Sequence, residues 1–444
     1  MSRKRALCFA VLMAFCPLAL AATPTVEDLQ KTVQEMSDMM KAQQARIGQL
    51  EDKVSKDLHA EMAKAAREIA ADAANKSSGP TWLENLKFMA EVRMRYEDEC
   101  FSGGQEGQTW DKKATNRGRF SVKFGFSKTW LDDQMEGVFR LATGSSSDPR
   151  STNQTFTGNF DKKPVWIDLA YIKYTPKPVP GLTVLVGKMY NPYVRTNLVW
   201  DSDTNPEGIW AKYEKKFGDF TPFVSAGYFS TSQNFKSYNS PTDPTATDYG
   251  LHNATMAGYQ AGFDWTICEG AKWTSAAAFY DYDGFNRSYS IAGGNHEVGT
   301  LLDKRLAAKN FQVVNVTNIL AFRAFDLPWS AFFDWAHNCG DGDTTAGYED
   351  QNNGYAAGLT VGQNKKKGDW SVGYQYLYLE ANAVPGNFAD ADFETNSKGH
   401  ILSARYSVTE WMTLGASLFV LERITGTIED QRNIRTRVEC TWKF

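Results

Sequence analysis

The chain has 444 residues, a formal net charge of −4 and a mean hydropathy of −0.45, yet 13% of its residues are Phe, Trp or Tyr. A helix that crosses a bilayer needs about 20 consecutive apolar residues, and such a run occurs only at the extreme N-terminus. The composition therefore excludes a membrane protein of several helices and leaves an exported soluble protein or a membrane barrel.

The N-terminal run is typical of a secretory signal. Basic residues at positions 3–5 precede an apolar stretch from Ala6 to Leu20, and an A-x-A cleavage pattern ends at Ala21. We predict that residues 1–21 are a signal peptide. Its removal takes away three positive charges and changes the formal net charge from −4 to −7.

Residues 22–58 are predicted to form a coiled coil. Apolar residues recur at spacings of three and four from Val26 to Val54, with charged residues on the remaining faces. Gln43 occupies a d position, where a polar residue sets register or oligomer number. A single amphipathic helix packed on its own domain is the alternative. An Ala-rich helix and a linker follow over residues 59–80.

The main domain, residues 81–444, alternates between apolar and polar residues. From Leu86 to Glu97 every even position is apolar or small, and most odd positions are charged, as in a strand with one oily and one polar face. The pattern recurs and predicts sixteen strands, near residues 86–97, 117–128, 135–143, 164–175, 182–190, 207–217, 220–230, 255–267, 271–282, 309–325, 329–336, 354–363, 369–380, 398–407, 411–423 and 432–444.

The connections between these strands alternate between short and long. Short ones include Leu131–Gln134 and Leu327–Pro328, whereas Ser145–Lys163 and Asp283–Ala308 are long and rich in polar residues. This asymmetry is typical of outer-membrane barrels, which have tight periplasmic turns and long external loops. An even number of strands also places both chain ends on the periplasmic side.

A soluble β-sandwich also alternates, but strands of about 9–12 residues match a tilted membrane crossing, whereas soluble strands average about 5–6 residues. Aromatic residues also gather at strand ends, where membrane girdles lie: Tyr96, Trp130, Tyr171, Tyr174, Tyr190, Tyr193, Trp335, Trp411 and Trp442. The predicted fold is an all-β transmembrane antiparallel barrel of about sixteen strands, preceded by a short α-helical coiled coil.

The last strand ends Val-Glu-Cys-Thr-Trp-Lys-Phe444, which resembles the outer-membrane assembly signal of bacterial porins. Together with Ala90–Tyr96 and Leu198–Gly208, the region from Leu86 to Phe444 is similar to the "putative porin" family related to phosphate-selective porins. The resemblance implies an outer-membrane channel with a periplasmic coiled coil, a homotrimer, and the outer-membrane lipid and assembly machinery as partners. The coiled coil would clamp the trimer, act as a spacer that touches the cell wall, or both.

A barrel of about sixteen strands is wide enough for a water-filled channel, so side chains facing the lumen set its selectivity. The alternation predicts these inward bases: Arg93, Arg95, Arg119, Lys123, Arg140, Lys212, Arg405, Arg435, Arg437 and Lys443. The predicted inward acids are Glu91, Glu97, Glu136, Glu214, Asp264 and Glu439. This basic excess predicts a mild anion preference, and the alternative is a mixed-charge wall that only solvates the lumen.

The third long connection, Asn191 to Pro206, resembles the loop that folds into the channel in porins. Arg195, Asp201 and Asp203 are our candidates for the constriction, against a plain surface loop. Asp201 and Asp203 also begin like a calcium loop, but Pro206 stands where the required glycine would be.

Other functions find less support in the sequence. None of the five histidines lies in a recognisable motif, and the chain lacks the P-loop, G-x-S-x-G and H-E-x-x-H patterns, so we predict no enzyme. Cys100, Cys268, Cys339 and Cys440 have no metal or haem spacing, and we predict no cofactor and no nucleic acid. A sugar-selective channel with Trp210 and Tyr280 facing inward, or a barrel sheath for an electron-carrying cytochrome, remains an alternative.

Overall fold

The computed structural model describes residues 84–102, 114–146, 148–157, 159–236, 251–284, 296–297, 304–305, 311–340, 349–425 and 432–444, together with Lys64. The predicted signal peptide, coiled coil and linker lie outside the described residues, apart from Lys64. The strands belong to the second of the two units into which the chain divides, Asn85–Phe444. None of the described residues forms a helix that is long and apolar enough to cross a membrane.

The described part of the second unit contains sixteen long strands. They are β1 Leu86–Ser102, β2 Ala114–Trp130, β3 Met135–Thr143, β4 Val165–Tyr174, β5 Leu182–Lys188, β6 Glu207–Glu214, β7 Phe220–Lys236, β8 Leu251–Cys268, β9 Ala271–Asp283, β10 Phe311–Ala324, β11 Leu327–Asn338, β12 Asn353–Gly362, β13 Trp370–Leu379, β14 Ser397–Ser407, β15 Met412–Arg423 and β16 Arg432–Lys443. A two-residue strand, Gln154–Thr155, adds to β2, and His296–Glu297 pairs with Lys304–Arg305.

These strands form a closed barrel. Each long strand pairs antiparallel with the next, and β16 pairs antiparallel with β1 from Glu91↔Lys443 to Ser102↔Arg432. The backbone of Phe444 extends the seam, because its amide and carbonyl both bond to Ala90, at 2.9 and 3.2 Å. The predicted antiparallel barrel of sixteen strands is confirmed.

Period two gives the barrel wall an oily outside and a polar inside. On β1 and β2, Phe88 and Phe124 project outward and their rings stack with centroids 6.5 Å apart. Both side chains are at least half exposed, and this exposure is what a lipid-facing surface requires. On the other face Arg95 lies opposite Arg119 in the register. The wall therefore separates an apolar outer belt from a charged lumen.

One predicted turn is misplaced by two residues. The sequence predicted a connection at Leu327–Pro328, but both residues belong to β11, and the turn is Phe325–Asp326 with φ of 54° and 58°. Two positive φ values make a type I′ hairpin turn, whose twist matches the flanking strands. The proline suggested the turn, but a proline is also tolerated at the beginning of a strand.

Three of the predicted girdle aromatics lie inside the barrel: Tyr171, Tyr193, and Tyr190, whose ring lies 4.6 Å from the guanidinium carbon of the inward Arg140. The register of β3 against β4 shifts between Arg140 and Leu141, and Tyr171 packs against the inner core. Tyr193 is not on a strand but in the connection that follows β5, where it is buried. Tyr171 was predicted to lie in the girdle from its place near a strand end, but such a place does not specify the face, and a bulge changes which residues of a strand point inward.

Candidate functional site

Among the connections that the structure describes, two fold deep into the lumen, and residues 150–153 of the connection between β3 and β4 contact both of them. The third loop, residues 189–206, joins β5 to β6, and the seventh loop, residues 380–396, joins β13 to β14. Leu198 and Val199 of the third loop, and Ala383 and Val384 of the seventh, are almost completely buried. Loops normally lie on the surface, so these two are packed as parts of the interior.

An aromatic cluster packs the two loops against each other. Trp200 of the third loop stacks on Phe388 of the seventh, with ring centroids 5.0 Å apart. Its other edge contacts Tyr280 of β9 at 5.8 Å and Tyr282 at 6.4 Å. Buried aromatic pairs of this kind contribute about 0.5–1.5 kcal/mol each beyond the area they bury. Trp200 is therefore the central side chain between both loops and the barrel wall.

The beginning of the third loop is fixed by Tyr193. Its hydroxyl donates to the carbonyl oxygen of Gly258 on β8 at 2.9 Å. A Cβ at Gly258 would lie 2.3 Å from that hydroxyl oxygen, so only glycine leaves room for this approach. Gln260, two residues along β8, bonds the Val194 amide and carbonyl at 2.9 and 2.8 Å.

The middle of the third loop is held by a carboxylate of the wall. Asp334 of β11 is fully buried. It accepts hydrogen bonds from Thr196 of the loop, from Asn315 at 2.5 Å and from Thr317 at 3.1 Å. A buried carboxylate is stable only when its oxygens are well paired. Asp334 thus fastens the loop to the wall at a definite place.

Carboxylates also join the two loops to each other. Asp201 accepts from the Ala391 amide at 3.0 Å, and its own amide donates to the Phe388 carbonyl at 2.7 Å. Asn197 donates to Asp390 at 2.5 Å. The two loops therefore form one body across the lumen.

Arginines line the opposite side of the lumen, on β1, β2 and β16. Glu97, 1% exposed, lies between four of them, with N···O distances of 3.4 Å to Arg95, 2.8 Å to Arg117, 3.4 Å to Arg119 and 3.2 Å to Arg437. The register explains this meeting, because Glu97 lies opposite Arg437 on β16 and opposite Arg117 on β2.

The seventh loop connects to this group through Asp392. Its carboxylate pairs with Arg437, with an Nη1 to Oδ2 distance of 2.7 Å, and with Arg435 at 3.6 Å. Arg95 also pairs with Glu439 at 2.8 Å. We call this connected set the arginine cluster: Arg95, Arg117, Arg119, Arg435, Arg437, Glu97, Glu439 and Asp392. Five positive charges against three negative ones leave the cluster with a formal charge of +2.

A second group of ion pairs and hydrogen bonds joins the barrel wall to the third loop. Lys123 of β2 pairs with Asp203 at 2.8 Å. Arg140 of β3 pairs with Asp168 of β4 at 2.5 Å, and Asn205 of the loop donates to the same carboxylate at 2.7 Å. Lys123, Arg435 and Arg437 on the strands thus face the carboxylates of Asp203 and Asp392 on the inward loops, and such an arrangement puts an electric field across the lumen.

Each of the predicted constriction residues has a place in this arrangement. Asp203 faces the wall through Lys123, whereas Asp201 lies at the junction of the two loops and Arg195 donates to the Trp200 carbonyl of its own loop at 3.0 Å. Asp203 thus borders the charged wall, while Asp201 and Arg195 hold the loops in shape.

Eight of the ten predicted inward bases have contacts that place their side chains in the part of the lumen described above; the other two, Lys212 and Lys443, pair with Glu214 and Glu91. Six of the eight take part in the ion pairs above: Arg95, Arg119, Lys123, Arg140, Arg435 and Arg437. Arg93 donates to Asn153 at 3.2 Å, and Arg405 lies at the inner face beside Glu439. Within the described residues neither Arg93 nor Arg405 forms an ion pair.

The sequence did not predict the seventh loop or Arg117 as parts of this site. Arg117 begins the predicted second strand, two residues before the predicted inward base Arg119, and lies opposite Glu97 in the register. The seventh loop carries Asp390 and Asp392, and two acids in a long connection could have marked this loop as a candidate for the site. Only the fold, however, brings these acids close to β16. The structure also places Cys100 and Cys339 as free, exposed residues.

Trp210 and Tyr280 face inward, but they do not line an open surface. Both are buried in the core that Tyr193 and Trp200 complete, with Tyr193 at 6.4 Å from Trp210 and 5.2 Å from Tyr280. A row of aromatic rings for sugars would have to be exposed to the solute. These two residues instead support the inward loops.

The loop carboxylates differ in their affinity for protons. Burial raises the pKa of Asp201 to about 7, and the nearby Asp203 and Asp392 add to the shift. Burial acts in the same direction on Asp203, but the Lys123 ammonium outweighs it and holds the pKa of that carboxyl below its usual value. Asp203 is therefore charged at neutral pH, while Asp201 changes its charge there.

A closed antiparallel barrel with an oily outside and a charged lumen narrowed by inward loops defines a channel of the outer-membrane type. The chain belongs to the family described as "Putative porin", whose model matches residues 13–129, 111–304 and 306–430. No curated protein sequence matches it significantly. Family and fold indicate a channel in the outer membrane rather than an enzyme.

Solved porin structures match the chain at low sequence identity. The high-pH structure of OprB from Pseudomonas putida has 13% identity and a TM-score of 0.52, and the match covers 82% of this chain and 96% of that one. OmpF of Salmonella typhi in complex with daunomycin has 10% identity and a TM-score of 0.45, covering 81% and 97%. A mutant of the Rh. blastica porin has 9% identity and a TM-score of 0.39, covering 81% and 100%.

Proposed function

We propose that the protein is a water-filled channel for passive diffusion of small hydrophilic solutes and ions, with a mild preference for anions. The observation that carries the proposal is the arginine cluster, because its formal charge of +2 borders the narrowed part of the lumen. A net positive lining raises the local concentration of anions and lowers that of cations. Arg93 and Arg405, which form no ion pair among the described residues, add further positive charge to the lumen.

The proposal includes the surroundings of the channel. The long loops would face the outside and the short turns the periplasm, with residues 22–58 as a periplasmic coiled coil that clamps a homotrimer or spaces it from the cell wall. Phe444 would act as the signal for the assembly machinery. Its exposed side chain at the closing seam supports that role, since a signal must be accessible before the last strand is fully enclosed.

The anion preference is tested by the reversal potential of the full chain in a planar bilayer under a potassium chloride gradient. We expect chloride to be favoured over potassium by a small factor, because most arginines are paired with carboxylates. Replacing both Arg93 and Arg405 with Gln should reduce that factor. Lys177→Gln removes a positive charge from a short exposed turn away from the constriction, and this control should leave the factor unchanged. A preference for potassium in the unaltered chain would contradict the proposal.

The selectivity should also depend on pH near neutrality. Asp201 has a raised pKa of about 7, so it is neutral below that pH and gains a negative charge as the pH rises through it. Asp203, with its lowered pKa, stays charged throughout. We therefore expect the preference for anions to fall between about pH 6 and pH 8.

The same reversal potentials, measured across this pH range, check the expectation. Asp201→Asn should remove the pH dependence and keep the low-pH value, because the amide mimics the protonated acid. A pH profile that is the same in the unaltered chain and in Asp201→Asn would show that another group titrates.

A further inference from the structure

A separate cavity lies beside the arginine cluster, towards the end of the barrel that carries the long loops. Its volume is about 250 Å³, and it is lined by the seventh loop and by the ends of β1, β2, β14, β15 and β16. Ligand sites usually measure about 300–1,000 Å³, so this cavity suits only a small molecule. A solute that enters from this end would meet it before the constriction.

Two buried polar atoms of the cavity lining have no hydrogen-bond partner. They are Nε of Arg435, a donor, and Oδ1 of Asn433, an acceptor. Arg435 is 5% exposed, and its remaining contacts go to Asp392 and to the ring of Phe419, 4.4 Å from the guanidinium carbon. Unpaired buried polar atoms are rare and costly. A ligand that accepts a hydrogen bond from Arg435 Nε and donates one to Asn433 Oδ1 would satisfy both atoms.

Charges of both signs surround these two atoms. Arg117 supplies a second base beside Arg435, and Glu99 supplies an acid beside Asn433, whose amide nitrogen donates to Glu99 at 2.8 Å. That hydrogen bond uses one carboxylate oxygen of Glu99. Among the described residues the other oxygen has no partner. The other charged residues of the lining have partners of their own, because Asp392 pairs with Arg437, Glu394 with Arg423 and Glu422 with Arg432. The cavity thus has a basic side at Arg435 and Arg117 and an acidic side at Glu99, next to the neutral side-chain carbonyl of Asn433.

The cavity also has an apolar wall. Phe101, Phe393 and Leu421 form this wall. A plain inorganic anion would leave this wall and the acidic side without contacts, and a sugar would leave the charges unmatched. A ligand with a carboxylate, an ammonium group and a short apolar side chain matches all three surfaces.

We propose that this cavity binds a small zwitterion, a free α-amino acid with an apolar side chain. Its carboxylate accepts from Arg435 and Arg117, its ammonium donates to Glu99 and to the Asn433 side-chain carbonyl, and its side chain packs on Phe101 and Leu421. The inference rests on the proposed channel, because the site would concentrate such a solute at the entrance to the constriction.

The test is a binding measurement that does not need an open channel. Saturation-transfer NMR on the full chain in detergent compares L-leucine with two analogues that each lack one charge, 3-methylbutylamine and 4-methylpentanoate. We expect saturable leucine binding with a dissociation constant of about 1 mM, equivalent to about 4 kcal/mol. Each analogue should bind at least about tenfold more weakly, a loss of about 1.4 kcal/mol.

Variants assign the binding to the cavity. Glu99→Gln and Arg435→Gln should each weaken leucine binding by about tenfold or more, whereas Glu207→Gln, a surface carboxylate on β6 that pairs with Lys188, should leave it unchanged. Barrel formation of each variant is checked by its heat-dependent mobility on a gel.

The results separate the two proposals. Equal binding of 4-methylpentanoate and leucine would mean a simple anion site, and equal binding of the amine would mean a simple cation site, and either overturns the inference. So does the absence of leucine binding, or leucine binding that persists in both variants. Leucine binding by a protein that passes no current in a bilayer would leave the inference standing and overturn the proposed channel.

Discussion

Trp200→Ala should widen the channel. The indole is 2% exposed and lies between the third loop, Phe388 of the seventh loop and two tyrosines of β9. Replacing a buried Trp with Ala costs about 3–5 kcal/mol in a packed core. Here the lost contacts are those that hold the inward loops together, while the strands keep their own backbone hydrogen bonds.

We therefore expect the barrel to form and the single-channel conductance in potassium chloride to rise by about twofold or more. Loops that lose buried contacts open more readily than the strands, because local stability follows the number of buried contacts. The matched control is Trp411→Ala, an exposed Trp of a short turn outside this packing, which should leave conductance unchanged. Equal conductance of Trp200→Ala and the unaltered chain would show that the loops do not limit the current.

Glu97→Gln should combine lower stability with stronger anion preference. The carboxylate lies within 3.4 Å of nitrogens of Arg95, Arg117, Arg119 and Arg437. Without its charge these arginines repel each other, and the arginine cluster changes from a formal +2 to +3. Removing one partner of a buried ion pair costs about 3–5 kcal/mol.

Two measurements check this prediction. The temperature at which the barrel loses its folded mobility on a gel should fall, and the reversal potential should move further towards chloride. Glu207→Gln removes a largely exposed carboxylate from one surface ion pair, and such pairs contribute about 0–1 kcal/mol, so it should change neither value. An unchanged unfolding temperature in Glu97→Gln would mean that the arginines are held by other contacts.

The strands were predictable because their signal is local. In β1 and β16 each residue is exposed to lipid or to the lumen according to its parity, and a two-residue repeat over twelve residues is visible without any knowledge of the neighbours. The same argument assigned Arg95, Arg119 and Arg437 to the lumen. The girdle prediction for Tyr171 was wrong, because the face that carries Tyr171 is set by the bulge between β3 and β4, which depends on the pairing of two strands and not on either sequence alone.

The partners of the inward side chains were not predictable in the same way. Glu97 was assigned to the lumen, but its four arginines come from three strands, and Arg437 is 340 residues away in the chain. Asp201 bonds to Ala391, 190 residues away. Contacts of this kind follow from barrel closure and from the paths of two loops, so the third loop was a candidate from the sequence and the seventh was not.

The residues before the barrel remain a prediction from the heptad pattern. If Val26 to Val54 form a coiled coil that clamps a trimer, deleting residues 22–58 should weaken the oligomer and leave the barrel intact, because each barrel closes its own sheet through β1 and β16. The resemblance to phosphate-selective porins likewise stays a prediction.

The most direct test of the channel is single-channel recording of the full chain in a planar bilayer, with non-electrolyte polymers of graded size added to the bath. The account predicts discrete current steps proportional to voltage and salt concentration. Small polymers should lower the conductance and larger ones should have no effect, because the third and seventh loops exclude them. Absence of current steps, or entry of large and small polymers alike, would contradict a water-filled barrel that these loops narrow.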